Sequence, residues 1–168
     1  KITCSKRNTE WGNSIWEVIA RKAADTVVAE AAGAYPASGA EVPADSVLIN
    51  GARIGLEAGW GGNAAAGRDA AFDGDVNTFF DPLGTGNGYA GIDAGEAMKL
   101  TKIVIHPRQD QLARYYGAEI DGSNDPDFAD YTPIYISLDK AESFDYIEIN
   151  AEDFDDIGEF RYYRYYNT

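Results

Sequence analysis

The chain is 168 residues long, 45% hydrophobic and 12% aromatic, enough to bury one ordinary core, which argues against wholesale disorder. Its formal charge is −14, from 28 acids against 14 bases, and a field of that sign repels phosphate backbones and lipid headgroups, so nucleic-acid and membrane-surface binding are disfavoured. The one Cys, Cys4, cannot form an internal disulfide, no Cys/His cluster can hold zinc, and the one His, His106, excludes two-His motifs and weakens any triad.

Residues 1–20 mix charged and polar positions among the apolar ones, so neither a signal peptide nor an inserting membrane segment is expected there. The chain opens as if inside a strand, which suggests a piece of a longer protein. Two short apolar stretches, 2–4 and 14–19, flank a polar loop at 6–10, and with the β-favouring Trp11, Ile15 and Trp16 they predict two strands joined by a turn. Residues 23–45 are Ala-rich. A short helix is expected near 17–32, with Asp25 near its start, and the part with Pro36, Gly39 and Pro43 reads as a linker.

From residue 46 onward the pattern turns to β. Short strands are expected at 46–49, 88–92, 100–106, 119–120, 133–138, 144–149 and 160–166, separated by Gly, Asp, Asn and Pro clusters. This spacing predicts an all-β antiparallel sandwich rather than βαβ units, with any helix confined to 17–32. The organisation is therefore a strand segment at 1–22, a linker at 23–45 and a sandwich over 46–168. Residues 2–9 and 161–168 echo one another, both β-like and both ending in Asn-Thr, as a tandem array would.

Four segments in order carry a family resemblance: AFDGDVNTFFDP (71–82), YAGIDAGEAMKLTKIVIHPR (89–108), RYYGAEIDGSNDPDF (114–128) and FRYYRYY (160–166). Together they resemble the discoidin, or coagulation-factor type C, domain, in its branch of bacterial galactose-binding-like carbohydrate-binding modules. The resemblance implies a jelly-roll β-sandwich, a sugar site in the loops at one end, and a structural calcium ion. The family's final strand ends in a sequence like WGxSIWE. Here WGNSIWE stands at 11–17, at the other end of the chain. Either 1–22 is the tail of a preceding repeat, or this strand closes the same sandwich.

The 70–78 loop holds the oxygens that a hard cation takes: Asp73, Asp75 and Thr78 around a Gly turn, with the Ala70 carbonyl. The resemblance adds Glu17 and the Trp16 carbonyl as the remaining calcium ligands. A solvated Asp-Gly-Asp turn is the plainer alternative. The twelve-residue spacing of an EF-hand is absent.

Sugars stack apolar C–H faces on aromatic rings and take hydrogen bonds from polar side chains. Trp60, in the small-residue loop at 59–63, and Trp11 are the stacking candidates. Arg108 at a strand end, Asn63 and Tyr115 complete the carbohydrate-binding set, with Tyr116 expected in the core. Arg108 and Arg114 also suit a structural role, tying loops together through Asp110 or Asp127. His106 reads as a satisfied strand-end residue. No catalytic set emerges: Asp153, Asp155 and Asp156 form an acidic loop, GxSxG is absent, Cys4 has no base nearby in sequence, and the Gly-rich 84–88 segment lacks a phosphate-loop Lys.

The expectation is therefore a non-catalytic module, secreted or at the cell surface of a bacterium, that brings an attached enzyme or other modules of a larger chain to a glycan or polysaccharide. A protein-interaction, adhesion or spacer module is the alternative.

Overall fold

The computed structural model describes residues 15–23, 46–49, 51–82, 88–154 and 158–167, with backbone only at 15–23, 46–48 and 167. Trp11, the 2–4 strand, the 2–9 echo, the linker beyond residue 23, the acids Asp155 and Asp156 and most of the Gly-rich 84–88 segment lie outside the described residues. Among the described residues the strands are β1 (Ile15–Ala23), β2 (Ser46–Leu48), β3 (Ala52–Gly55), β4 (Tyr89–Met98), β5 (Leu100–Pro107), β6 (Ala118–Ser123), β7 (Thr132–Ile136), β8 (Ile147–Asn150) and β9 (Phe160–Asn167). They form two antiparallel sheets, in the orders β2-β1-β5-β8 and β3-β4-β9-β6-β7, which together make a β-sandwich.

Residues 17–23, where a helix was expected to start, are instead the middle and end of β1. Trp16, Val18 and Ile19 fit a pleated surface better than a helix, and pairing decides the matter. β1 runs antiparallel to β5, with Glu17 opposite His106, Val18 opposite Ile105 and Ile19 opposite Val104. Its far side pairs with β2 through Arg21, Lys22 and Ala23. β1 is thus an interior strand, and it joins β2 to the rest of its sheet.

The core lies between the sheets and follows the two-residue period of strands. Ile103 and Ile105 of β5 meet Ala90 and Ile92 of β4, Ile120 of β6, and Tyr163 and Tyr165 of β9 in one cluster with Phe80. The Tyr163 hydroxyl donates to the Met98 carbonyl, which gives that buried ring its polar partner.

The other face of β9 carries Arg164, paired in register with Gly91 and Asp121. Its Nε donates to Asp121 Oδ2 at 2.7 Å, and its guanidinium lies 4.4–5.6 Å from the ring centres of Tyr89, Phe128, Tyr131 and Tyr166. Phe128 reaches this position from a left-handed backbone (φ 53°), a conformation a bulky residue adopts only when its surroundings hold it there.

Candidate functional site

Strands β3 and β5 finish, and β4 and β6 begin, at one end of the sandwich, which gathers the 56–82 and 108–117 loops there. The first loop opens with Trp60, which starts a short 3-10 turn, Trp60–Gly62. Gly61 (φ 70°) and Gly62 (φ 75°) both take left-handed backbone, which glycine tolerates and other residues resist. The turn leaves Trp60 59% exposed, the most exposed aromatic ring among the described residues. Asn63 follows, and its Oδ1 accepts from the Ala65 N–H at 3.1 Å, capping the next turn.

Asp81 ties this loop to the second one. Its carbonyl accepts from the Trp60 N–H at 2.8 Å. Its carboxylate lies between two guanidiniums, accepting from Arg108 Nη1 at 2.8 Å and Arg114 Nη1 at 3.3 Å. Arg108 also donates from Nε and Nη2 to Asp110, at 2.7 and 3.1 Å, and its guanidinium carbon sits 3.6 Å from the centre of the Phe79 ring. These contacts fix the guanidinium plane. Hydrogen bonding to Arg108 holds the Asp110 carboxyl below its usual range. The end therefore presents an exposed indole and an exposed amide beside an Arg–carboxylate network that is mostly shielded from water, and a ring face, donors and acceptors are groups that a polyol can meet.

Trp60, Asn63 and Arg108 are brought to this end together. Tyr115 is not part of it, and its expected place among the loop aromatics is corrected. It is 5% exposed, its ring lies in the core cluster, and its hydroxyl is 3.2 Å from that of Tyr135. The 3-10 turn Leu112–Tyr115 sends Arg114 toward Asp81 and the next side chain, Tyr115, into the core, so the neighbouring Tyr116 is left half-buried. Burial pushes the Tyr115 hydroxyl pKa far up. Arg108 does pair with Asp110, as considered for a structural role, whereas the partner of Arg114 is Asp81. Asp81 and Phe79 were not foreseen.

In the 70–78 loop, Ala70 is buried in the turn Arg68–Ala71, and the acids follow on the surface. Asp73 Oδ1 accepts from the Asp75 N–H at 2.9 Å, and Asp73 Oδ2 accepts from the Thr78 hydroxyl at 2.7 Å. Asp75 Oδ1 accepts from the Asn77 N–H and side-chain amide, at 2.9 and 2.7 Å, and those bonds lower its pKa. The donor atoms are all oxygen, the type calcium takes. Among the described residues no three His, Cys, Asp or Glu side chains converge. β1, which carries Trp16 and Glu17, packs against the turn Arg68–Ala71 that leads into this loop.

His106 is buried at the end of β5, its ring edge-on to Tyr146 at 4.7 Å, and burial lowers its pKa. This environment suits a packed strand-end residue.

The F5/8 type C domain profile matches residues 56–167. No curated protein sequence matches the chain. Among solved structures, CBM62 from Clostridium thermocellum Xyl5A is similar, with 32% sequence identity and a TM-score of 0.64 over 71% of this chain and 85% of that one. The profile covers both loops of the Trp60–Arg108 end and six of the nine strands from β4 to β9, and the chain belongs to the F5/8 type C, or discoidin, domain family.

Proposed function

We propose that the domain is a non-catalytic carbohydrate-binding module that brings an attached enzyme or a cell-surface protein of a bacterium, outside the cell, to a glycan. The observation that carries this reading is Trp60, 59% exposed on a two-glycine turn and tied through Asp81 to Arg108. An indole held open to solvent at a loop end, beside polar groups, offers an apolar face for a ligand to cover. A sugar ring stacked on it would exchange apolar C–H surface for water while its hydroxyls meet Asn63, Arg108 and the carboxylates around it. The likeness to CBM62 supports the same class of ligand.

A shallow site of this kind offers little burial, so single-site affinity would be weak, and the gain would come from holding the attached partner near its glycan. Calcium belongs to the same reading as a structural ion. Asp73, Asp75, Thr78 and the Ala70 carbonyl would hold it from the loop, with Glu17 and the Trp16 carbonyl from β1. Its charge would offset the repulsion among those acids and fasten the loop.

Screening the immobilised domain on a glycan array tests the function. Binding to a defined set of glycans is the expected result. A blank array together with a protein partner in pull-down would move the reading to an adhesion module.

A further inference from the structure

A concavity opens against Tyr115, the last residue of the turn Leu112–Tyr115. It is an open cup of about 510 Å³, with Tyr115 and Tyr135 on its floor and the 137–146 segment as its wall. We propose that this cup is a second sugar-binding site, taking one neutral sugar unit. The proposal rests on reading the domain as a glycan binder, but not on the Trp60 site.

Size is the first argument. Sites for small ligands enclose a few hundred Å³ and combine apolar walls with a few polar groups. Here the apolar part is Ile136, Ala141 and Ile147, and the half-buried Tyr135 lines the cup with its hydroxyl 3.2 Å from that of the buried Tyr115. A phenol hydroxyl both donates and accepts, so such a pair can extend its hydrogen bonding to a sugar hydroxyl.

The rim supplies the second argument. Asp139, Glu142 and Asp145 are exposed there with Lys140 between them. A carboxylate can accept from two neighbouring hydroxyls of a sugar, and an ammonium donates to their oxygens. Three acids against one base, on a chain of net charge −14, repel uronic acids and sulfated or sialylated sugars and favour neutral ones.

Third, the wall is held in place before any ligand arrives. The Gly117 N–H donates to Ser137 O at 2.9 Å and the Ser137 N–H to Ala118 O at 2.8 Å. The Ser137 hydroxyl donates to Asp139 O at 2.7 Å, and the Ala141 N–H reaches Leu112 O at 3.3 Å. A preformed cup spares the ligand the cost of ordering a loop.

Finally, the two sites share one turn. Arg114 holds Asp81 on the Trp60 side, and Tyr115, the next residue, lines the cup. One branched or extended glycan could engage both sites, which would raise avidity without any new contact.

The test is a two-dimensional amide NMR titration of the isotope-labelled domain with D-galactose, D-xylose, L-arabinose, lactose and cellobiose, and with galacturonic acid as the anionic control. The triple variant Lys140→Ala, Glu142→Ala, Asp145→Ala is measured in parallel; its substituted side chains are exposed, and the spectrum itself reports folding. The proposal expects a neutral sugar to shift amides at 135–147 in a saturable way. The triple variant should weaken that response about tenfold or more while leaving shifts at 59–63 and 108–114 in place. Shifts confined to 59–63 and 108–114 overturn the cup and keep the Trp60 reading. Shifts confined to 135–147 keep the cup and remove the Trp60 site. No shift with any sugar overturns both, and a stronger response to galacturonic acid overturns the assignment to neutral sugars.

Discussion

Arg108 donates to Asp81 at 2.8 Å, and through that one carboxylate it is joined to Arg114 and to the backbone of Trp60. The three side chains are 17%, 14% and 10% exposed for Asp81, Arg108 and Arg114, so the network is mostly shielded from water. Asp81→Ala would leave two guanidiniums facing each other without their shared acceptor. It is expected to cost about 2–4 kcal/mol in urea unfolding and to weaken glycan binding. Asp81→Asn, which keeps an acceptor oxygen, should cost less. Equal costs for the two variants would mean that the charge carries the whole interaction, and a wild-type-like Asp81→Asn would mean that the charge is unimportant.

Stability should depend on pH through Asp121. Burial, and then hydrogen bonding with Glu119, push its carboxyl up to about 8, against the pull of Arg164. Glu119 and Asp121 lie on the same face of β6, and two carboxyl groups can bond each other only when one holds a proton. The folded state therefore keeps a proton that the unfolded chain, with an ordinary value of 3.8, has released. Stability from this group falls as pH rises from about 4 to about 8 and is level above that. His106, lowered by burial, works the other way, and only below its ordinary value of 6.5. Denaturant midpoints measured between about pH 7 and pH 8 should thus decline. Asp121→Asn should flatten the decline, and an unchanged slope would contradict it.

Removing residues 1–22 takes out nearly all of β1, the strand between β2 and β5. The loss exposes an edge of β5 and detaches β2. The truncated protein is expected to aggregate or to lose its cooperative melt. An unchanged melting temperature would show that β1 adds nothing to the sandwich.

The calcium proposal predicts that chelator lowers the melting temperature, because an ion that binds only the folded state stabilises it by mass action. Asp73→Ala should remove most of that response. A melting curve indifferent to chelator, with no metal found by elemental analysis, would end the proposal.

Strands with an unbroken β pattern were legible in the sequence. Those expected at 100–106 and 160–166 are observed as Leu100–Pro107 and Phe160–Asn167. β3 was not legible, because Ala52–Gly55 has little intrinsic preference and becomes a strand by pairing with β4. β4 runs on to Met98 through Gly95 and Glu96, which read as a turn in isolation. Trp60 and Arg108 could be picked out by residue type and flanking glycines or proline. Asp81 could not, since its partner Arg108 is 27 residues away and only the fold joins them. The choice between Tyr115 and Tyr116 depended on the rotation of one 3-10 turn, which alternation does not encode.

The most direct measurement of the central claim is calorimetric titration of the wild type, Trp60→Ala and Arg108→Ala with the strongest glycan from the array. Trp60 is exposed, so its removal should leave the fold and melting temperature essentially unchanged. The account predicts measurable binding by the wild type and a loss of about tenfold or more on removing Trp60, from the stacking contact alone. Full affinity in Trp60→Ala, or no glycan bound by the wild type, would contradict it.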